Sequence, residues 1–142
     1  MNKNGKKKLF VVVDTNVVVS GMITKNAESP TVSVLDYMTE KAVVPLYCEE
    51  ILQEYSDVLH REKFQIPKQK VDKFIKMVKS DGIASGRMPS KESLPDPKDV
   101  VFYEVALSKE DSFLVTGNIK HFPQVDFVVT PAEMVEIIKK NL

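Results

Sequence analysis

The feature that most constrains the fold is a continuous apolar run at positions 9–13, which ends at the carboxylate of Asp14. Continuous apolar runs are typical of strands that are buried on both faces, as in a parallel sheet covered by helices. A buried carboxylate is costly to desolvate unless it has a partner, a turn to cap or a cation to bind. Because ligands of open α/β sheets sit at the carboxyl ends of the strands, Asp14 is the first candidate site residue.

The rest of the chain alternates between short apolar strands and amphipathic helices. Further strands are predicted at 42–47, 112–116 and 126–129, and residues 83–97 are predicted to form a loop with room for one short strand. Helical periodicity covers 30–40, 49–59, a segment beginning at Pro67, 99–108 and a segment beginning at Pro131. Residues 17–23 fit either a short helix or an irregular segment. This order predicts a three-layer α/β/α fold with a mostly parallel central sheet.

Length and composition predict one ordinary globular domain. The 142 residues divide into a flexible basic segment at 1–8 and a single domain over 9–142. Basic and acidic residues number 20 each, so binding of nucleic acid would need a local basic patch. The single Cys48 excludes an intramolecular disulfide and fits a reducing cytosol, which predicts a cytoplasmic protein. No stretch approaches the roughly 20 apolar residues of a membrane span, so we expect no membrane partner.

Three more oxygen-bearing side chains occupy positions comparable to that of Asp14. On the helix over 49–59, Glu54 lies about 40° outside the apolar stripe, at the rim of the core. Asp99 begins a helix that is apolar on nearly all sides and is therefore buried, and Asn118 follows the strand at 112–116. The alternative interpretations are a solvated glutamate for Glu54 and a helix cap for Asp99.

Convergence of these groups would create an oxygen-rich site with a formal charge of about −3, which cannot stay fully ionised without a cation. Mg²⁺ and Mn²⁺ prefer oxygen ligands, whereas zinc prefers His or Cys. The chemistry that such a site predicts is in-line attack on a phosphodiester by metal-activated water.

Four motifs follow one another along the chain: residues 11–17 with Ser20, residues 49–59, residues 96–99 leading to Phe102 and Ala106, and residues 114–118. Together they resemble the PIN-domain family of metal-dependent ribonucleases, whose motifs occur in the same order. The resemblance extends over almost the whole chain and implies the α/β/α fold with the first strand at its centre. The branch that the chain resembles most is that of prokaryotic PIN proteins grouped as toxins of toxin–antitoxin pairs.

The resemblance assigns roles residue by residue. The family's metal-binding acids fall on Asp14, Glu54 and Asp99. Asp99 is chosen over Asp96 because the family's acid lies seven residues before a small helix residue, here Ala106. The fourth catalytic position is often Asp in the family and is Asn118 here, which retains an oxygen but loses a charge. The supporting positions that hold carboxylates or water fall on Thr15, Asn16 and Thr116. His121, although near these positions in sequence, is interpreted as a surface histidine.

The function implied by the resemblance is cleavage of single-stranded RNA with Mg²⁺ or Mn²⁺ held by Asp14, Glu54 and Asp99. It also implies a small antitoxin protein as partner and a homodimer, whose face we expect on the helices that begin at Pro30 and Glu49. An alternative of a different class is a catalytically weak RNA-binding or partner-binding module. The charge missing at Asn118 and the neutral net charge favour that alternative.

Overall fold

The structure is a computed structural model that describes residues 7–142. Its strands are β1 (Phe10–Val13), β2 (Val44–Tyr47), β3 (Ile83–Ala84), β4 (Ser112–Val115) and β5 (Val128–Val129). Its helices are α1 (Thr15–Ile23), α2 (Pro30–Thr39), α3 (Glu49–Leu59), α4 (Lys68–Asp81), α5 (Pro97–Leu107) and α6 (Pro131–Asn141), with short 3₁₀ turns at Glu62–Phe64 and Ile119–His121.

The five strands form one parallel sheet in the order β3-β2-β1-β4-β5. Strand β1 is central, and its Val13 lies beside Val115 of β4. From β1 the chain proceeds to β2 and β3 on one side, and it then crosses to β4 on the other side. The carboxyl ends of β1 and β4 therefore form a topological switch point, which is where ligands bind in open α/β sheets. The predicted fold class, with β1 at the centre, is confirmed.

The helices cover the sheet on both faces and complete three layers. On one side, α3, α4 and α5 share an aromatic cluster, in which the ring of Tyr55 is 5.5 Å from that of Phe74 and 6.2 Å from that of Phe102. The hydroxyl of Tyr55 also donates to the backbone carbonyl of Val13, the last residue of β1. This bond fixes α3 against the strand end that precedes Asp14.

Two local predictions are resolved by the structure. The segment after Asp14 is a helix, because α1 begins directly at Thr15. Helix α5 begins at Pro97, two residues before the predicted start, and its N-cap is Asp96, whose side chain accepts a hydrogen bond from the backbone N–H of Lys98 at 2.9 Å. Since Asp96 caps the helix, the capping interpretation of Asp99 is wrong, and the Asp99 carboxylate lies in the first turn.

The two ends of the described chain meet. The backbone N–H of Lys7 donates to Oδ1 of Asn141 at 2.9 Å, and Nδ2 of Asn141 donates to the Lys7 carbonyl at 2.7 Å. The prediction of a flexible segment at 1–8 falls mostly on residues 1–6, which lie outside the described residues. From residue 7 onward, no helix is long and apolar enough to cross a membrane.

Candidate functional site

The carboxylate of Asp14 is held at the switch point by the neighbouring strand. Asp14 is only 6% exposed, and its Oδ2 accepts a hydrogen bond from the hydroxyl of fully buried Thr116 at 2.8 Å. Burial raises the pKa of Asp14, although the Thr116 hydroxyl and the backbone N–H groups of Asn16 and Thr15 oppose that rise. The carboxylate is therefore oriented by the Thr116 hydroxyl and still carries a desolvation penalty when it is ionised.

Asn118 supports this arrangement through its backbone. Its N–H donates to Oγ1 of Thr116 at 3.0 Å, so the hydroxyl hydrogen of Thr116 remains available for Asp14. Asn118 itself is half-buried and precedes the 3₁₀ turn that carries His121. The polar residue at the end of β4 thus belongs to the same hydrogen-bonded chain as Asp14.

Asp99 is the second carboxylate of the site. Its side chain is 15% exposed, and its pKa is raised to about 6, first by burial and then by the negative charges of Asp14 and Asp96. The like charge of Asp14 thus disfavours the ionised form of Asp99.

His121, interpreted from the sequence as a surface histidine, is exposed and also contacts Asp99. Its Nδ1 is 3.6 Å from Oδ2 of Asp99, and this contact opposes the rise in the Asp99 pKa. In the sequence, the feature that indicates this position is the closeness of His121 to Asn118 along the chain. The two residues are joined by a single 3₁₀ turn after β4, in which the His121 N–H donates to the Asn118 carbonyl. A histidine in that turn is carried to the same sheet edge as Asn118.

Glu54 has a different neighbour. Its carboxylate Oε1 is 3.9 Å from the ammonium Nζ of Lys98, and the two side chains line a groove of about 320 Å³ between α3 and α5. Across residues 7–142, no three His, Cys, Asp or Glu side chains lie close enough together to hold a metal ion. The structure therefore places Asp14 beside Thr116, Asp99 beside His121 and Glu54 beside Lys98.

The donor set at the switch point suits a hard divalent cation. Mg²⁺ binds through one or two carboxylates and keeps several waters, so Asp14 and Asp99 are a sufficient pair. Burial is the main cause of the raised pKa of both carboxylates, and a bound cation would offset this cost of ionisation. In addition, Oγ1 of Thr15 is buried and has no hydrogen-bond partner within the described part of the chain, whereas Asn16 on the same first turn is exposed.

A separate ion cluster anchors the chain that leads into α5. Buried Glu104 accepts hydrogen bonds from the backbone N–H of Ser90 at 2.7 Å and from Nε of Arg87 at 2.9 Å. Arg87 also reaches Glu50 of α3, with 2.7 Å between NH1 and Oε2. The bonds from Ser90 and Arg87 lower the pKa of Glu104, so the carboxylate stays ionised despite its burial. The cluster connects α3, α5 and the loop between β3 and α5.

Comparison with known proteins gives one family. A family model described as the PIN domain matches residues 10–120, which is more than half of the chain and extends from β1 to the 3₁₀ turn after β4. The matched segment contains the two carboxylates at the switch point and the Glu54–Lys98 pair, and it ends one residue before His121. No curated protein and no solved structure matches the chain.

Proposed function

Because this chain belongs to the PIN-domain family, whose fold is that of a nuclease, we propose that it is a metal-dependent endoribonuclease that hydrolyses phosphodiester bonds of single-stranded RNA. The observation that carries the proposal is the pair of desolvated carboxylates, Asp14 and Asp99, at the switch point of the sheet.

The site residues have distinct roles in this proposal. Asp14 and Asp99 would hold Mg²⁺ or Mn²⁺, and Thr116 orients the Asp14 carboxylate. Such an ion, when bound, lowers the pKa of a water and stabilises negative charge on the phosphate. His121 contacts Asp99 on the solvent side, where an RNA phosphate would approach. Glu54, the family's second acid, would join the site from α3.

The test is cleavage of an end-labelled single-stranded RNA with Mn²⁺, with Mg²⁺ and with EDTA. We expect cleavage with either ion and none in EDTA. Asp14→Asn protein, purified in the same way, controls for contaminating nuclease and should be inactive. Lys140→Met, on the exposed side of α6, is a second control and should cleave like the unmodified protein. Equal cleavage by Asp14→Asn would refute the assignment.

A second candidate function is a catalytically weak module that binds RNA or a protein partner. It is favoured by the position of Glu54, whose charge is directed to Lys98, and by the uncharged side chain at Asn118. The same assay separates the candidates, since the weak module would bind the labelled RNA in EDTA without cleaving it when Mn²⁺ is added.

The biological role that we propose is that of a toxin in a toxin–antitoxin pair, acting as a homodimer. The support is the resemblance to that branch of the family. Large exposed apolar side chains include Ile23, Ile83 and Met88, none of which lies on α2 or α3, where the dimer face was predicted.

Light scattering at high concentration tests the dimer, and a monomer would contradict it. Growth arrest by the protein but not by Asp14→Asn, relieved by a co-purifying small protein, tests the pair.

A further inference from the structure

Lys98 lies between the two acidic parts of the candidate site. It is in the first turn of α5, next to Asp99 in the chain, and its ammonium contacts Glu54 of α3 at 3.9 Å. The groove around this contact is otherwise lined by Glu50, Gln53, Asp57, Val101 and Phe102. Lys98 is therefore the one basic side chain that lines this groove among the residues that the structure describes.

The contact between Lys98 and Glu54 is weak enough for Lys98 to leave Glu54 for another anion. The Lys98 side chain is 68% exposed, whereas that of Glu54 is 24% exposed. An ion pair with one mobile, solvated partner is screened by water and stabilises little. A phosphate group that enters the groove offers Lys98 a second anion, because an ammonium binds phosphate oxygens as a mobile point charge.

We propose that Lys98 neutralises Glu54 in the free protein and moves to a phosphate of bound RNA, so that Glu54 contributes its negative charge to the metal site only with substrate present. This inference rests on the proposed function and adds a positioning role for Lys98. It accounts for the separation of Glu54 from the Asp14 and Asp99 pair. Without RNA, a divalent cation is then held by Asp14 and Asp99 alone.

The first test is calorimetric titration of Mn²⁺ into RNA-free protein. Lys98→Met removes the positive charge and frees Glu54, so it should tighten Mn²⁺ binding by a factor on the order of 5. Lys140→Met is the matched control, an exposed lysine exchanged for the same residue on another helix, and should leave the affinity unchanged. Equal Mn²⁺ affinity in Lys98→Met and the unmodified protein would overturn the proposal.

A double substitution distinguishes an effect of Lys98 through Glu54 from a general effect of its positive charge on the metal site. In a Glu54→Gln background, Lys98→Met should change Mn²⁺ affinity much less than it does when Glu54 is present, because the neutralised partner is already gone. An undiminished effect would mean that Lys98 acts on Asp99 directly, and it would overturn the role of Glu54. Thermal melting of each variant verifies that all remain folded.

The second half of the proposal is tested with a single-stranded RNA oligonucleotide in EDTA, by fluorescence anisotropy at several salt concentrations. Lys98→Met should weaken binding and reduce the slope of log affinity against log salt by about 0.7, the value for one contact with a single strand. An unchanged slope would overturn the transfer to phosphate. If the unmodified protein binds no Mn²⁺, the proposed function fails and this inference with it. If Mn²⁺ binds but Lys98→Met has no effect, only the inference fails.

Discussion

Position 14 retains a carboxylate at a depth where a neutral side chain would be easier to bury. Asp14→Asn removes the charge whose desolvation raises the pKa, and an amide oxygen can still accept the Thr116 hydroxyl. We expect the metal-free variant to melt at the same temperature as the unmodified protein or higher, with Mn²⁺ binding lost. Scanning calorimetry in EDTA measures this. A large drop in melting temperature would show that the ionised form stabilises the fold.

Substitution of Thr116 should affect the same site less than substitution of Asp14 does. Thr116→Val keeps the volume and removes the hydroxyl that orients Asp14, so we expect Mn²⁺ affinity and RNA cleavage to fall about 10- to 100-fold, as is typical when a partner of a metal ligand is lost. Asp14→Asn should cost more than this. Equal losses in the two variants would indicate that Thr116 has a role beyond positioning.

The raised pKa of Asp99 makes the stability of the metal-free protein depend on pH. The folded protein binds this proton with a pKa of about 6, against 3.8 for an ordinary aspartate, so between these values it binds more protons than the unfolded chain. The free energy of unfolding should therefore rise as pH is lowered from about 7 to about 5. Urea unfolding in EDTA measures the trend, and Asp99→Asn should remove most of it. A stability that falls over this range would contradict the assignment.

At position 118 the chain carries an amide where the family often has a carboxylate. Asn118→Asp should tighten Mn²⁺ binding by about 1 kcal/mol if the site is partly hydrated and the effective dielectric constant is near 20. It should also raise cleavage at low Mn²⁺. Calorimetric titration of Mn²⁺ into both proteins tests this prediction. Equal Mn²⁺ affinities would mean that Asn118 acts only through its backbone hydrogen bond to Thr116.

At the scale of elements, the cluster of Arg87, Glu104 and Glu50 determines how the loop before α5 packs. Glu104→Gln keeps the shape but loses the charge that faces Arg87, which should reduce the free energy of unfolding at pH 7 by about 1–2 kcal/mol. Because its pKa is lowered, Glu104 stabilises the fold above its ordinary value of 4.5, and this contribution disappears as pH falls below that value.

A double-mutant cycle isolates the pair from the rest of the cluster. Arg87→Met and Glu104→Gln together should destabilise the protein less than the sum of the single changes, since each removes the same contact. Additive effects in urea unfolding at pH 7 would show that Arg87 and Glu104 stabilise the loop independently.

The elements that could be predicted from the sequence are those whose own residues specify them. The apolar stripe of α3 and the valine run of β1 indicate their structure without reference to other segments. Strand β3 is the short strand for which the predicted loop at 83–97 left room, but its place could not be predicted, because its two exposed residues form a strand by pairing with Leu46 and Tyr47 of β2. Helix α1 was ambiguous because valines favour strands, and its start is determined by the turn at Asp14.

At the scale of the whole molecule, the strand ends that carry Asp14 and Asn118 could be placed together, because parallel strands share a carboxyl edge. The partner of Glu54 could not be predicted. Helical periodicity gives the direction of a side chain relative to its own helix, whereas the Lys98 contact depends on how α3 and α5 cross. The Arg87 cluster was hidden for a similar reason, since its members come from a loop and two helices.

The pair of hydrogen bonds between Lys7 and Asn141 holds the two ends of the described chain side by side. The ends could therefore be joined, and the chain opened elsewhere, without moving any strand or helix. A linker of about four residues can span from residue 142 back to residue 7. New ends between Glu92 and Ser93 would open an exposed stretch that belongs to no helix or strand. We expect this circular permutant to fold with the same circular dichroism spectrum and the same Mn²⁺ affinity. A permutant that does not fold would mean that β1 must precede the rest of the sheet for the sheet to form.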